Sequence, residues 1–246
     1  MKKIVTFFIC LLLPMRMAFW ILNLLGHKVH PKSKVGFSLL WINNELVLNE
    51  ASLIGDFNLI LIDNLAIDRN GRIGDRNKLL GPYDFILGKA AAIGNGNSCY
   101  RAPLGVTQGK AILRLGELSK ITSFHRIDCT CTITMGDYCT LAGHESQLWT
   151  HSYYHDRTGP GRFRLDGPIE IGNNVNIGSR SVITCGVRIA DGITIGANSS
   201  ISKSLLKAGV YVNQPLRFIE ADVDSRFKFK RVVVELCEEV YERFEE

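Results

Sequence analysis

IEIGNNVNIGSRSVITCGVRIADGITIGANSSISK, residues 169–203, carries an isoleucine at every sixth position: Ile171, Ile177, Ile183, Ile189, Ile195 and Ile201. The residue after each is small or polar: Gly172, Gly178, Thr184, Ala190, Gly196 and Ser202. Neither a helical period of 3.6 nor a strand period of 2 generates such a comb. A six-residue repeat is the signature of a parallel β-helix, in which each hexad forms one short side of a coil. One aliphatic side chain per side faces inward, and coils stack through backbone hydrogen bonds at about 4.8 Å. Three such sides close a coil of roughly 18 residues, so Ser179 and Ala197 are expected one above the other on the same corner.

Upstream the comb is looser. Val29, Val35-Gly36, Ile54-Gly55, Ile60, Ile73-Gly74 and Ile93-Gly94 keep its character while the register slips. It tightens again through Ile112, Ile121, Ile127, Ile133, Met135-Gly136 and Leu141. A separate mixed α/β domain is the alternative for this stretch. No amphipathic pattern of helical length lies between Val29 and Gly167, and Gly, Asn and Asp recur as coil corners require. Two segments break the comb. YRAPLGVTQ (100–108) reads as a loop or short insertion. WTHSYYHDRTGPGRFRLDGP (149–168) is a long polar insertion before the most regular coils, read as a loop beside an active site.

The ends differ from the middle. Residues 4–25, IVTFFICLLLPMRMAFWILNLL, are apolar but broken by Pro14 and Arg16. A spanning helix fits poorly with a central arginine, and no small-x-small cleavage site supports a signal peptide. A pair of helices lying on a membrane surface accommodates both interruptions. At the other end, Phe229, Val232, Val233, Leu236, Cys237, Val240 and Phe244 follow helical spacing and suggest an amphipathic helix covering the last coil. The expected organisation is an N-terminal membrane-associated helical segment (1–27), an all-β left-handed parallel β-helix (28–219) and a C-terminal α-helix (220–246).

Charge agrees with this division. Residues 1–34 hold Lys2, Lys3, Arg16, Lys28, Lys32 and Lys34 and no acid. These six of the chain's 29 Lys and Arg leave the remainder at −1, so the net +5 is a property of the N-terminus. A basic apolar terminus suits an anionic membrane surface, and no basic stripe with interleaved aromatics points to nucleic acid. Seven cysteines at irregular spacing, without a C-x-x-C pair, read as buried thiols of a reducing compartment.

MGDYCTLA (135–142), Thr150-His151, an excursion of about twenty residues, GPIEIGNNVNIGS (167–179) and Ser202-Lys203 then form one ordered set of motifs. The set resembles the hexapeptide-repeat acyltransferases, in the branch containing the maltose and the lipopolysaccharide or capsule acetyltransferases. The resemblance is specific over about 135–219 and general upstream. It implies a left-handed β-helix, a homotrimer with sites between subunits, and transfer of acetyl from acetyl-CoA to a sugar hydroxyl or amine. His151 then matches the general base, a role suited to an imidazole at neutral pH. An acid should orient its ring, and Glu145 and Asp128 are the candidates. Ser179 and Ala197 match the groove for the pantetheine arm, with Ser202, Lys203 and Arg217 toward the nucleotide end of CoA. His155, in the insertion, is a candidate substrate contact. The chain departs from the pattern at Asn176, where an aromatic is usual, and at Asn213, which replaces a glycine in VNQPLR (212–217).

No metal is implied. A γ-class carbonic-anhydrase-like metalloprotein and a non-catalytic β-helix scaffold are the alternatives, the first needing three converging histidines. The implied acceptor is a sugar or lipid-linked glycan, and the setting surface-polysaccharide (O-antigen, capsule or exopolysaccharide) synthesis at the cytoplasmic face of the plasma membrane.

Overall fold

A computed structural model of the chain describes residues 2–12, 15–155, 157, 161–213, 217–219, 230–232 and 240–242. Its body is a parallel β-helix with three faces, the architecture expected from the comb and consistent with the left-handed class. One face stacks Lys34–Val35, Leu53–Ile54, Arg72–Ile73, Ala92–Ile93, Lys120–Ile121, Thr140–Leu141, Asn176–Ile177, Ile193–Ile195 and Gly209–Val212. The other two faces branch from the long strand Leu59–Ile67. The six isoleucines of the comb are all at most 4% exposed and fill the centre. Burying each stabilises the fold by about 1.5–3 kcal/mol.

Register explains why the comb is sharp only near its end. Asn176 pairs with Thr194, a coil of 18 residues. Upstream, Lys34 pairs with Leu53 and Leu53 with Arg72, coils of 19, and Arg72 pairs with Ala92, a coil of 20. The pairing of Leu39–Leu48 with Leu59–Ile67 shifts register between Ile42 and Glu45, and Ile42, Leu46, Leu48, Ile60, Ile62, Leu65 and Ile67 all stay buried while the spacing leaves six. The stretch from Val29 is therefore β-helix and not a separate mixed domain.

Corners use left-handed backbone. Phe57, Arg76, Phe124, Glu145, Arg180 and Asn198 all have φ between +57° and +64°. The next residue turns inward and makes a buried polar ladder. Asn58 Oδ1 accepts from Asn77 N–H, Asn77 Oδ1 from Asn97 N–H, and Asn97 Oδ1 from His125 N–H. His125 Nδ1 then accepts from Ser146 N–H, and Ser146 Oγ from Ser181 N–H. Backbone groups that a corner would strand are thereby satisfied.

Helices α1 (Lys2–Leu12) and α2 (Met15–Leu24) pack over the N-terminal coils, α1 against Leu39–Leu48. Thr6, Ala18 and Leu22 are fully buried there, and Thr6 Oγ1 lies 2.8 Å from His27 Nε2. The opposite side leaves Phe8, Met17, Trp20 and Leu24 exposed. No helix among the described residues is long and apolar enough to cross a membrane.

The C-terminal helix expected over 220–246 is corrected where that region is described. Lys230–Val232 and Val240–Glu242 pair as antiparallel strands. The β-branched run Val232-Val233-Val234 favours extended backbone over helix, and the remaining positions of the expected helix, including Cys237, lie outside the described residues. Arg217–Ile219 pairs antiparallel with Gly209–Val212 and covers the edge of the last coil.

Candidate active site

The insertion at 149–168 is a hairpin, with His151–His155 antiparallel to Arg162–Asp166. Gly167 N–H donates to Thr150 O, so the excursion leaves and rejoins the coil at one point. His151 is the first residue of the hairpin and sits where it meets the β-helix wall.

Asp128, on the preceding coil, holds the imidazole. His151 Nδ1 lies 2.9 Å from Asp128 Oδ2. Asp128 also accepts from Thr150 N–H at 2.9 Å, from Thr150 Oγ1 at 2.6 Å and from Thr130 Oγ1 at 2.8 Å. Burial disfavours its charge, but the hydrogen bonds from Thr150, Thr130 and His151 outweigh that and keep the carboxyl below its usual range. An ionised Asp128 draws the ring proton to Nδ1 and leaves Nε2 as the lone-pair nitrogen. No described residue hydrogen-bonds Nε2. Trp149 and Tyr153 flank the ring edge to face, with centroids 6.1 and 5.9 Å away.

The pair was half visible in the sequence, where Asp128 and Glu145 stood as equal candidates. The geometry gives Asp128 the contact. Glu145 instead accepts from Arg180 Nε at 2.9 Å, with both side chains exposed. Thr150 was read only as the motif neighbour of His151, and Thr130 and Arg101 escaped the sequence reading. Arg101 is 1% exposed and donates to the carbonyls of Pro82, Gln108, Gly109 and Thr130, pinning the 101–110 insertion against the segment that follows Asp128. A buried arginine bonded to carbonyls has no local sequence pattern.

Two cavities meet beside this pair. One, of about 1080 Å³, is lined by His151, Asp128, Trp149 and residues of the coils on either side. The other, of about 800 Å³, is lined by Gly143, His144, Ser179, Ala197 and Asn198. They share Phe124, Glu145 and Arg180. Ser179 and Ala197 do stack: Asn198 N–H donates to Ser179 O, one coil apart. Gly143, at φ +67°, lies against Ser179, where a side chain would collide. Ser202 and Lys203 are exposed just after Ser200–Ile201 and do not line either cavity. Arg217 begins the strand opposite Val212, and its side chain lies outside the description. His155 is exposed near the hairpin tip, opposite Arg162.

Described cysteines are free: Cys10, Cys99, Cys129 and Cys139 buried, Cys131 and Cys185 partly exposed. Burial pushes the Cys10 and Cys99 thiols up to about 12, which makes them inert packing groups. Among the described residues no three His, Cys, Asp or Glu converge to hold a metal ion.

No family model matches the chain. Over 107 residues it is 37% identical to a galactoside O-acetyltransferase of Escherichia coli (strain K12), a match covering 42% of this chain and 52% of that protein. The chain thus spans about half the length of that curated relative. Among solved structures, the polySia-specific acetyltransferase NeuO is similar at a TM-score of 0.46 and 20% identity, covering 80% of this chain and 90% of that one. A hexapeptide-repeat-containing acetyltransferase of Vibrio cholerae O1 biovar eltor, complexed with acetyl coenzyme A, is similar at a TM-score of 0.44 and 23% identity, covering 55% and 69%. The chain resembles the hexapeptide-repeat acyltransferases in sequence as well as in motif order.

Proposed function

We propose that this chain is an acetyl-CoA-dependent acetyltransferase whose acceptor is a sugar hydroxyl or amine. One observation carries the reading: an aspartate-anchored histidine presents an open nitrogen to a cavity, next to a second groove floored by small residues. A relative 37% identical over 107 residues is named for O-acetylation of a galactoside, which agrees with a sugar acceptor.

In this reading the acceptor enters the larger cavity and acetyl-CoA lies along the Ser179 and Ala197 groove. His151 Nε2 takes the acceptor proton as its oxygen or nitrogen attacks the thioester carbonyl. Collapse of the tetrahedral adduct breaks the carbon–sulfur bond, and the imidazolium returns its proton to the departing thiolate of CoA. Asp128 keeps the ring in the required tautomer and stabilises the imidazolium. Trp149 and Tyr153 limit water around the ring. Ser202, Lys203 and Arg217 are proposed for the far end of CoA, and His155 for the acceptor.

The wider setting is proposed on separate grounds. The exposed Phe8, Met17, Trp20 and Leu24 beside a basic terminus suit a membrane surface. That would place the enzyme against lipid-linked glycans at the cytoplasmic face, in surface-polysaccharide synthesis, as a homotrimer. The test is thiol release from acetyl-CoA by the full chain with a panel of sugars. Acceptor-dependent release is expected; the absence of release with every sugar would overturn the reading.

A further inference from the structure

The larger cavity extends well beyond the reacting nitrogen, toward the N-terminal coils, and the charge left outside its ion pairs is one-sided. Outward strand positions align there by register: Lys78 pairs with Ser98, Ser98 with Arg126, and Arg126 with Gln147. Arg76, on the corner beside Lys78, lines the same space. Lys78 and Arg126 stand two rungs apart, about 10 Å. Arg126 is on the same strand as Asp128, about 7 Å along it.

The acids of this cavity are already engaged. Asp128 holds His151, and Glu145 pairs with Arg180. Arg76, Lys78 and Arg126 are exposed and meet no acid at salt-bridge distance among the described residues. Elsewhere on the body, Lys28–Glu45, Lys32–Glu50 and Lys89–Glu117 are closed at 2.7–2.8 Å. A recess with cations of one sign focuses field on whatever enters it. Exposed Tyr100 and Phe124 add flat apolar faces to the same walls.

We infer that Arg76, Lys78 and Arg126 form an anion subsite that holds carboxylate or phosphate oxygens of the acceptor, N-terminal-ward of His151, while Tyr100 and Phe124 face its sugar rings. The inference rests on the acetyl-transfer reading and adds a substrate class to it: a negatively charged glycan or diphosphate-linked sugar. The donor groove runs the other way, past Ser179 and Ala197, so the phosphates of CoA do not account for these cations.

Calorimetric titration of the full chain tests this without turnover, using hexagalacturonate, UDP-glucose and maltohexaose as probes. Binding of at least one anionic probe roughly 10-fold tighter than maltohexaose, weakening with added salt, is expected; whether the carboxylate or the diphosphate binds identifies the source. The Arg76→Gln, Lys78→Gln, Arg126→Gln triple variant should lose that binding by on the order of 10- to 100-fold, as three exposed charge contacts sum. Saturating CoA should leave it in place. Equal affinity for the neutral probe, no binding of any probe, indifference to the triple variant, or displacement by CoA would each overturn the subsite. Thiol release from acetyl-CoA that survives such a result would show that only the subsite has failed.

Discussion

His125 and His151 lie on successive coils and line the same cavity, yet their rings are spent differently. His125 is closed. Its Nδ1 accepts from Ser146 N–H, and its Nε2 meets Thr122 Oγ1, whose own proton goes to the carbonyls of Leu141 or Gly143. Burial and nearby His144 push its pKa down to about 4, and the ring serves as a neutral link in a ladder of asparagines and serines. His151 is open: Asp128 engages one nitrogen and the other faces the cavity. A histidine's partners, and not its presence in a cavity, separate a ring locked into the fold from one that keeps a nitrogen open.

The comparison breaks if the two rings prove interchangeable. The largest effect should come from Asp128→Asn, which keeps the size of the side chain but no longer fixes the Nδ1–H tautomer. Acetyl transfer should fall on the order of 10² to 10⁴-fold with affinity for acetyl-CoA retained, measured by initial rates and titration. His125→Ala should act on stability instead. It orphans Ser146 N–H and opens a void, costing about 2–4 kcal/mol in a denaturant midpoint while the folded fraction keeps its turnover.

A subtler substitution, His125→Asn, continues the ladder set by Asn58, Asn77 and Asn97 and should restore most of that stability. It should also change the acid response. A histidine whose folded pKa lies below its unfolded value near 6.5 contributes stability above 6.5 and loses it as pH falls toward about 4. Wild type should therefore lose on the order of 3 kcal/mol across that window, a slope the asparagine variant lacks. Asp128, with its carboxyl held low, adds a separate loss only below the ordinary carboxylate range. The smallest effect is expected from Glu145→Gln. Its exposed pair with Arg180 is worth less than about 1 kcal/mol, and no contact ties it to His151.

The coil interior was legible from one-dimensional spacing because only inward side chains are constrained, and Ile171 to Ile201 obey a fixed count. His151 was legible through its motif neighbours, and the stacking of Ser179 over Ala197 followed from coil length. What spacing could not carry was lateral pairing. Asp128 and His151 are 23 residues apart, and the 28-residue step from Ala92 to Lys120 and the 36-residue step from Thr140 to Asn176 set which residues meet. The cations at 76, 78 and 126 become one group only when coils of 20 and 28 residues are stacked. At the C-terminus, a helical spacing of apolar residues competed with a valine run, and the described residues took the strand.

The proposed acetyl transfer requires the open nitrogen of His151 to remove the acceptor proton. Single-turnover acetyl transfer by His151→Ala, beside wild type and with acetyl-CoA binding measured in both, tests it most directly. The rate should fall by roughly 10² to 10⁴ with the fold and acetyl-CoA affinity unchanged; transfer at the wild-type rate would exclude His151 as the base.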